Sequence, residues 1–145
     1  LTLFAGRAGA CTVAFGYVGD IAEGERLAEP LRTLGPSLDA VMPNEYRAFQ
    51  AMTDLHSPWG MRAQRTVGLL SDLTDEAVDR LVVAADAPAS ALSRVSLWPL
   101  GGAVARPDAS WRYECLGLWP PVPALDPGEL SWVAGVEEAL TASTA

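Results

Sequence analysis

Arg112 and Glu114 are the pair of side chains with the clearest capacity for chemistry in this sequence of 145 residues. They lie two apart in the alternating segment WRYECLGLW, residues 111–119, so a strand here directs both side chains to one face. A guanidinium in this position can hold an anionic group of a substrate while the carboxylate acts as a general base. The alternative is a solvated ion pair on the sheet, which contributes about 0–1 kcal/mol to stability.

Four more side chains in two other predicted strands are candidate substrate-binding residues. In each strand the two residues are two positions apart, so each pair shares a face. If those faces coincide with the face of the arginine–glutamate pair, the side chains would line a cavity with hydrogen-bond donors, a carboxylate and an indole. The four residues are Gln64, Thr66, Ser96 and Trp98.

A loop with the sequence DLHSPWG, residues 54–60, adds His56 and Trp59, which are suited to covering a pocket. The alternative for His56 is a partly buried, hydrogen-bonded residue. It is the only histidine, which excludes any multi-histidine metal site, so we expect no metal. Tyr46 is a third candidate acid or base beside Arg112 and Glu114, although most tyrosines serve in packing.

Cys11 and Cys115 both fall in predicted strands, and neither belongs to a CxxC pair. We interpret them as two buried thiols in a reducing compartment, which predicts a cytoplasmic protein. A disulfide between neighbouring strands is the alternative. No nucleophile–base pair and no glycine-rich phosphate loop is visible elsewhere in the sequence.

The charge of the chain excludes several classes of partner. The net charge is −8, all ten basic residues are arginines, and these are scattered along the sequence. Such a chain lacks the basic patch by which proteins bind nucleic acid or an anionic membrane. No apolar run approaches membrane-spanning length, and no signal-peptide pattern is present. The length predicts a single domain, residues 1–145, with a core of its own.

The first predicted elements are a strand at residues 11–18 and a helix at residues 21–34. Asp20 and Glu23 form a predicted capping box at the start of this helix. Its apolar positions include Ile21 and Leu34 and recur at helical spacing, which predicts that one face is buried. The strand, the turn and the capped helix together predict a structural unit that contributes to packing and contains no catalytic or binding residues.

The rest of the chain predicts an α+β fold. Two more capping sequences begin helices, one at Thr74 and one at Asp126 with Glu129. The order of elements lacks the strict alternation of a parallel sheet, so we predict an antiparallel sheet of about five strands with helices packed on one face. The remaining predicted strands are residues 61–70, 94–100, 103–106 and 111–119. A short helix is predicted to begin at Pro43. The helix after Thr74 has the predicted buried residues Val78, Leu81, Val82 and Ala85, and the helix after Asp126 has Trp132, Val133, Val136 and Leu140.

Several segments together resemble the substrate-binding domain of FAD-linked oxidases of the berberine-bridge-enzyme type. The segment GDIAEGERLAEPLRTLGP, residues 19–36, is similar to the strand end and helix of that domain. The segment SLWPLGGAVAR, residues 96–106, is similar to its strand ending in Gly-Gly-Ala-Val. The resemblance continues through MRAQRTVGLLSDLTDEAVDRL, SWRYECLGLWPP and ELSWVAGVEEAL, in the family's order.

The resemblance implies a fold and a cofactor that this chain does not bind alone. Oxidases of this type hold FAD on a separate N-terminal domain, whose glycine-rich region has no counterpart in this sequence. We therefore expect FAD only through a separate domain or partner. The segment after residue 106 is also shorter than in the family, which removes substrate contacts that the longer segment supplies.

Two functional hypotheses follow. The first is a substrate-binding or cap module that binds a small organic metabolite and acts in oxidation only with a separate FAD-binding part; a chain that begins at Leu1 without methionine favours it. The second is a stand-alone flavin-free enzyme of the cyclase or isomerase type, or a ligand-binding protein, on the same fold. Under either hypothesis, an apolar sheet face predicts a homodimer or a ligand-filled cavity closed by the 54–60 loop. Whether the chain is an enzyme by itself stays open.

Overall fold

The structure, a computed structural model, describes residues 2–6, 11–52, 54, 57–86, 88 and 90–141. Contacts divide the chain into two compact units. The first unit comprises residues 1–14 and 56–145, and the second comprises residues 15–55. The first unit contains the sheet.

An antiparallel sheet forms the centre of the first unit, with the spatial order β2-β1-β4-β5-β3. Every neighbouring pair of strands in this order is antiparallel. The predicted α+β class and antiparallel sheet are confirmed. The strands are β1 (Thr2–Gly6), β2 (Cys11–Ala14), β3 (Arg62–Leu70), β4 (Arg94–Pro99) and β5 (Trp111–Trp119); the helices are α1 (Ile21–Arg32), α2 (Tyr46–Ala51), α3 (Asp75–Ala85) and α4 (Asp126–Thr141).

Helix α4 packs against strands β3 and β5, and α3 packs against α4. The residues predicted to be buried on α4 are all in the interior, as its helical period indicates. They meet the predicted inner face of β5, where Tyr113 and Cys115 are buried. The α4 residues of this core are Trp132, Val133, Val136 and Leu140.

Helix α3 begins as predicted, but its buried stripe is rotated. The Thr74 hydroxyl accepts a hydrogen bond from the backbone N–H of Ala77 at 3.2 Å and so caps the helix. Leu81 is buried as predicted, whereas Val78 and Val82 are 37% and 54% exposed. Their predicted burial is wrong because the buried residues of α3 are spaced four apart, at Ala77, Leu81 and Ala85.

Two strand predictions are corrected by the structure. Strand β1 was not predicted, although it joins β2 to β4 in the sheet. The predicted strand 103–106 is wrong, because Gly102–Val104 forms one turn of 3-10 helix. Gly102 has a φ of +55°, which favours glycine and turns the chain out of β4. The Leu100 N–H then donates to the Ser110 carbonyl at 2.8 Å and closes the connection to β5.

In the second unit, α1 begins after Asp20 as predicted. The Asp20 carboxylate accepts from the Glu23 N–H at 3.2 Å. The Glu23 carboxylate pairs with Arg26 at 2.6 Å and so does not complete a capping box. Ile21 and Leu34 are 62% and 75% exposed, so their predicted burial is wrong. Helix α2 begins at Tyr46, three residues after the predicted start.

Candidate functional site

The sheet face opposite α3 and α4 carries a group of charged and aromatic side chains that we call the arginine face. Residues directly paired across an antiparallel sheet point to the same side. The register of β3 and β4 against β5 therefore sets three rows of three residues on this face. The rows are Leu69, Arg112 and Trp98; Val67, Glu114 and Ser96; and Arg65, Leu116 and Arg94.

Glu114 lies at the centre of the arginine face, on the central strand of the three. Its Oε2 is 3.4 Å from Arg112 Nη2 and 3.5 Å from Arg65 Nε. The Glu114 side chain is 16% exposed, against 37% for Arg112 and 59% for Arg65. The carboxylate is thus recessed between two guanidinium groups that solvent and small ligands can reach.

Arg112 also contacts Trp98, its paired neighbour on β4. The Arg112 guanidinium carbon lies 4.8 Å from the centre of the indole ring, a cation–π contact. A guanidinium stacked in this way keeps its N–H groups directed sideways, in the plane parallel to the ring. The contact holds the Arg112 guanidinium against Trp98, with its Nη2 directed to Glu114 Oε2 at 3.4 Å.

Arg94 connects the arginine face to the loop before β3. Its Nη2 donates to Ser57 Oγ at 3.1 Å, and its Nη1 donates to the Leu92 carbonyl at 3.3 Å. Burial lowers the pKa of Arg94, and the negative charge of Glu114 opposes this effect. Arginine keeps its charge at neutral pH under such a shift. Trp59, two residues after Ser57, has a fully exposed side chain.

The charge of the arginine face differs in sign from that of the whole chain. Three arginines and one glutamate give its nine residues a formal charge of +2, whereas the chain carries −8. The fourth arginine of these strands, Arg62, lies on the helix-covered face and pairs with Asp126 at 3.0 Å. The positive charge is therefore local to one face of the sheet.

The structure brings together only part of the predicted site. Ser96 and Trp98 share the arginine face with Arg112 and Glu114, as proposed from the strand patterns. Gln64 and Thr66 do not, because they pair with Gly117 and Cys115 on the helix-covered face. Their predicted position beside the arginine–glutamate pair is wrong, since the register of β3 directs Arg65 to that side instead.

The other candidate residues lie elsewhere. Tyr46 belongs to the second unit, is 70% exposed, and its hydroxyl accepts from Gln50 Nε2 at 2.7 Å. His56 lies outside the described residues, so the structure does not test its prediction. Trp59 is exposed in the turn before β3. Tyr46 also lines a shallow depression of about 360 Å³ together with Arg47, Gln50, Ala51 and Asp54.

Two arginines of this face were missed by sequence reasoning. Arg94 could have been found, because it precedes Ser96 by two residues and a strand directs both to one side. Arg65 could not, because only the register between β3 and β5 assigns it to the face of Glu114. The missing information is a pairing between segments about fifty residues apart in sequence.

The two cysteines are free and differ in environment. Cys115 is fully buried, and this burial, reinforced by nearby carboxylates, raises the pKa of its thiol to about 12. A thiol with this pKa is a poor nucleophile at neutral pH. Cys11 is exposed on β2, so its predicted burial is wrong.

In the described part of the chain, no group of three or more His, Cys, Asp and Glu side chains is placed to hold a metal ion. No helix among the described residues combines the length and the apolar character needed to cross a membrane.

Comparison with solved structures finds the same fold in two larger proteins. One is BBE-like protein 28 from Arabidopsis thaliana, with a TM-score of 0.71 and 14% sequence identity over 97% of this chain. The chain shares the fold of a BBE-like protein. The other is GilR, solved with pregilvocarcin and described as the oxidoreductase of the terminal step of gilvocarcin biosynthesis, with a TM-score of 0.68 and 18% identity over 99% of this chain.

These comparisons confirm the sequence resemblance at the level of the fold. The chain spans about a third of each solved protein, 36% of the first and 34% of the second. No protein-family model matches the sequence, and comparison with curated proteins gives no significant match. The correspondence is therefore between the fold of this chain and one part of each of two larger proteins.

Substitutions at the arginine–glutamate pair should leave the fold intact. We expect Arg112→Ala and Glu114→Gln each to change the free energy of unfolding by less than about 1 kcal/mol, because the contacts are long and reached by solvent. Urea denaturation followed by circular dichroism measures this. Unfolding of either variant at 25 °C would show that the pair is part of the structural core and would remove it as a binding site.

Proposed function

We propose that this chain is the substrate-binding module of an FAD-linked oxidoreductase and that oxidation requires a separate FAD-binding part. The observation that carries the proposal is the coverage: nearly all of this chain matches about a third of each solved oxidoreductase. The sequence resemblance points to the same domain. The arginine face is the surface that we assign to the substrate, because it gathers the charged side chains of three strands.

Within this module, three polar side chains of the arginine face have proposed roles. Arg112, held against Trp98, binds and orients a substrate group from the side of the sheet. Glu114, recessed beside it, accepts a proton from a substrate hydroxyl placed above the centre of the face. Ser96 pairs directly with Glu114 across the sheet and is buried, so it leaves room for the carboxylate without competing for the substrate.

The residues of this chain do not fit FAD itself. A flavin pyrophosphate is usually held by the N–H groups at a helix N-terminus, helped by the helix dipole. The three longer helices of the described chain each carry acidic residues at this end, which repel a pyrophosphate. These residues are Asp20 and Glu23 on α1, Asp75 and Glu76 on α3, and Asp126 and Glu129 on α4.

A direct experiment follows from this mismatch. The purified chain should not bind FAD with micromolar affinity, and it should hold flavin only as part of a complex with an FAD-binding polypeptide encoded beside it. Visible absorbance of the gel-filtered chain, with and without that polypeptide, measures the bound flavin. Stoichiometric flavin on the chain alone, or no complex with the FAD-binding polypeptide, would refute the proposal.

A stand-alone ligand-binding protein or flavin-free enzyme is the second candidate function. It is favoured by the short segment after Arg106, where the chain reaches the strand at Trp111 without the longer segment of the family that it resembles. The same purified chain separates the two candidates. Turnover of a ligand by cyclisation or isomerisation, without added flavin, would favour the second.

The same proposal includes a protein surface that covers the arginine face. Val67 and Leu69, on the strand at the end of the sheet, are 43% and 40% exposed. Exposed apolar side chains beside a charged cluster are typical of a binding surface. We assign the cover to the FAD-binding part or to a second copy of this chain. The free thiols support a cytoplasmic location for the complex.

A further inference from the structure

We propose that two copies of this chain pair edge to edge through strand β3 and form a dimer with one continuous sheet. The inference goes beyond the proposed function, because the pairing needs no flavin and no FAD-binding part. Two observations carry it: the open backbone edge of β3, and a strand sequence that is complementary to itself in one register.

Strand β3 lacks the features that usually prevent an edge strand from pairing. Among the described strands it has a neighbour, β5, on one side only. Alternate residues of such a strand direct their N–H and C=O groups away from the neighbour, where a further strand can bind them. The strand is nine residues long, contains no proline or lysine, and pairs with β5 without a bulge. The strand at the opposite edge, β2, has only four residues.

The charged side chains of β3 do not protect its edge. Edge strands often carry charges that oppose pairing with a second strand. Here Arg62 Nη2 lies 3.0 Å from Asp126 Oδ2, and Arg65 Nε lies 3.5 Å from Glu114 Oε2. Both guanidinium groups therefore have partners within their own chain, and a second strand can approach without meeting an uncompensated charge.

One register pairs all nine residues of β3 with those of a second copy. In an antiparallel pair, outward-directed residues meet outward-directed residues, so the two residue numbers must add to an even number. Full overlap meets this condition and sets Thr66 opposite itself on the two-fold axis. No like charges are then directly opposite, an arrangement that would oppose pairing. The other pairs are Arg62 with Leu70, Ala63 with Leu69, Gln64 with Gly68, and Arg65 with Val67.

This register also covers exposed apolar side chains at the edge. Val67 and Leu69 are 43% and 40% exposed. The aliphatic stem of Arg65 of the second copy packs over Val67, and Ala63 of the second copy lies beside Leu69. Because each copy has one β3 strand, the pairing closes at two copies and does not continue into a fibre.

The dimer joins the two surfaces that carry the arginine face. Paired residues point to the same side of a sheet, so both arginine faces lie on one side of the continuous sheet. The two Arg65 side chains are diagonal neighbours across the axis, and each is balanced by Glu114 of its own chain. The second copy therefore contributes Arg65 and Val67 to the border of each arginine face.

The test measures the mass of the purified chain by sedimentation equilibrium over a range of concentrations. We expect a reversible dimer with a dissociation constant in the micromolar range, because a paired edge buries less surface than a standard interface. Thr66→Lys and Thr66→Glu each set two like charges opposite each other and should each weaken dimerisation about a hundredfold. An equal mixture of the two variants places opposite charges on the axis and should restore the dimer.

Matched variants at the other edge of the sheet locate the pairing. Thr12 is exposed on β2, so Thr12→Lys and Thr12→Glu should leave the dimer unchanged. Circular dichroism establishes that each variant is folded. If the Thr66 variants do not fold, Val67→Lys gives the same test at an exposed position, because it sets a lysine opposite Arg65 of the second copy and should dissociate the dimer.

Each contrary outcome overturns the inference. A monomer at millimolar concentration excludes the pairing, and a dimer that only the Thr12 variants dissociate belongs to the other edge. If the mixture of Thr66 variants stays monomeric, the two-fold register is wrong, and association into larger species contradicts a closed pair. Flavin binding with the FAD-binding polypeptide does not depend on β3 pairing, so failure of this inference is distinguishable from failure of the proposed function.

Discussion

Replacing Glu129 with alanine is expected to lower the free energy of unfolding by about 3–5 kcal/mol, because two hydrogen bonds accepted by a buried carboxyl group are lost and a cavity is left. The Glu129 side chain is fully buried at the start of α4. It accepts a hydrogen bond from the Ser90 backbone N–H and another from the Ser93 hydroxyl at 2.6 Å. Its removal leaves the Ser90 N–H without this acceptor, and the Ser93 hydroxyl keeps only a long contact of 3.4 Å to the Leu118 carbonyl.

The Ser93 hydroxyl extends this network to the sheet. It accepts from the Leu118 backbone N–H at 2.9 Å, so the start of β4, the end of β5 and the first turn of α4 meet at one side chain. Ser93→Ala should therefore cost about 1–3 kcal/mol, less than Glu129→Ala. The larger effect is expected for Glu129→Ala because the removal of the longer buried side chain also leaves a cavity.

Glu138→Ala is the matched control for Glu129→Ala. Glu138 lies on the same helix but is exposed, so its substitution should change stability by less than about 0.5 kcal/mol. Urea denaturation of the three variants and the unchanged chain gives the comparison. Equal midpoints for the Glu129 and Glu138 variants would mean that the buried carboxylate contributes nothing to folding and that α4 is held by its apolar face alone.

The position of Glu129 shows where local sequence patterns stop being informative. The pattern Asp-Pro-Gly-Glu predicts a capping box, in which the glutamate turns back to the start of its own helix. In the structure, Asp126 instead accepts from the Trp119 indole at 2.8 Å, and Glu129 turns inward. Its partners are 36 and 39 residues away in sequence, which no helix-start pattern can indicate.

Elements that depend on a local period were predicted well. The alternation of residues 111–119 gave the bounds of β5 and its buried face, and the spacing of apolar residues on α4 gave its buried side. In both, one element alone contains the information. The resemblance to oxidases of the berberine-bridge-enzyme type supplied the fold, because the order of several weak motifs is more specific than any one of them.

Elements that depend on the register between strands were not predicted. A shift of one residue in pairing reverses the face of every side chain in a strand. Gln64 and Thr66 were assigned to the substrate side on polarity, whereas the pairing of β3 with β5 places Arg65 there. The same limit applies to strand β1, whose place between β2 and β4 depends on pairing with a segment about ninety residues away.

Replacing Tyr113 with alanine should also lower the free energy of unfolding by about 3–5 kcal/mol, as for other buried aromatic residues. Its side chain is only 3% exposed and belongs to the core between the sheet and α4. Burial accordingly raises the pKa of its hydroxyl. The control is Tyr46→Ala, at a side chain that is 70% exposed, which should change stability by less than about 1 kcal/mol.

Gly68 gives this prediction a sharper form, because the Tyr113 ring lies across its backbone. Gly68 pairs with Tyr113 in the register of β3 and β5, and a Cβ at this position would overlap the ring. Gly68→Ala should therefore destabilise the chain, and should do so much less when Tyr113 is already alanine. Additive effects in this double-mutant cycle would contradict the contact.

The facing of β5 is tested by comparing Tyr113→Ala with Arg112→Ala. If Tyr113→Ala leaves the free energy of unfolding unchanged while Arg112→Ala unfolds the chain, β5 faces the other way. The arginine face is then part of the core and not a binding surface.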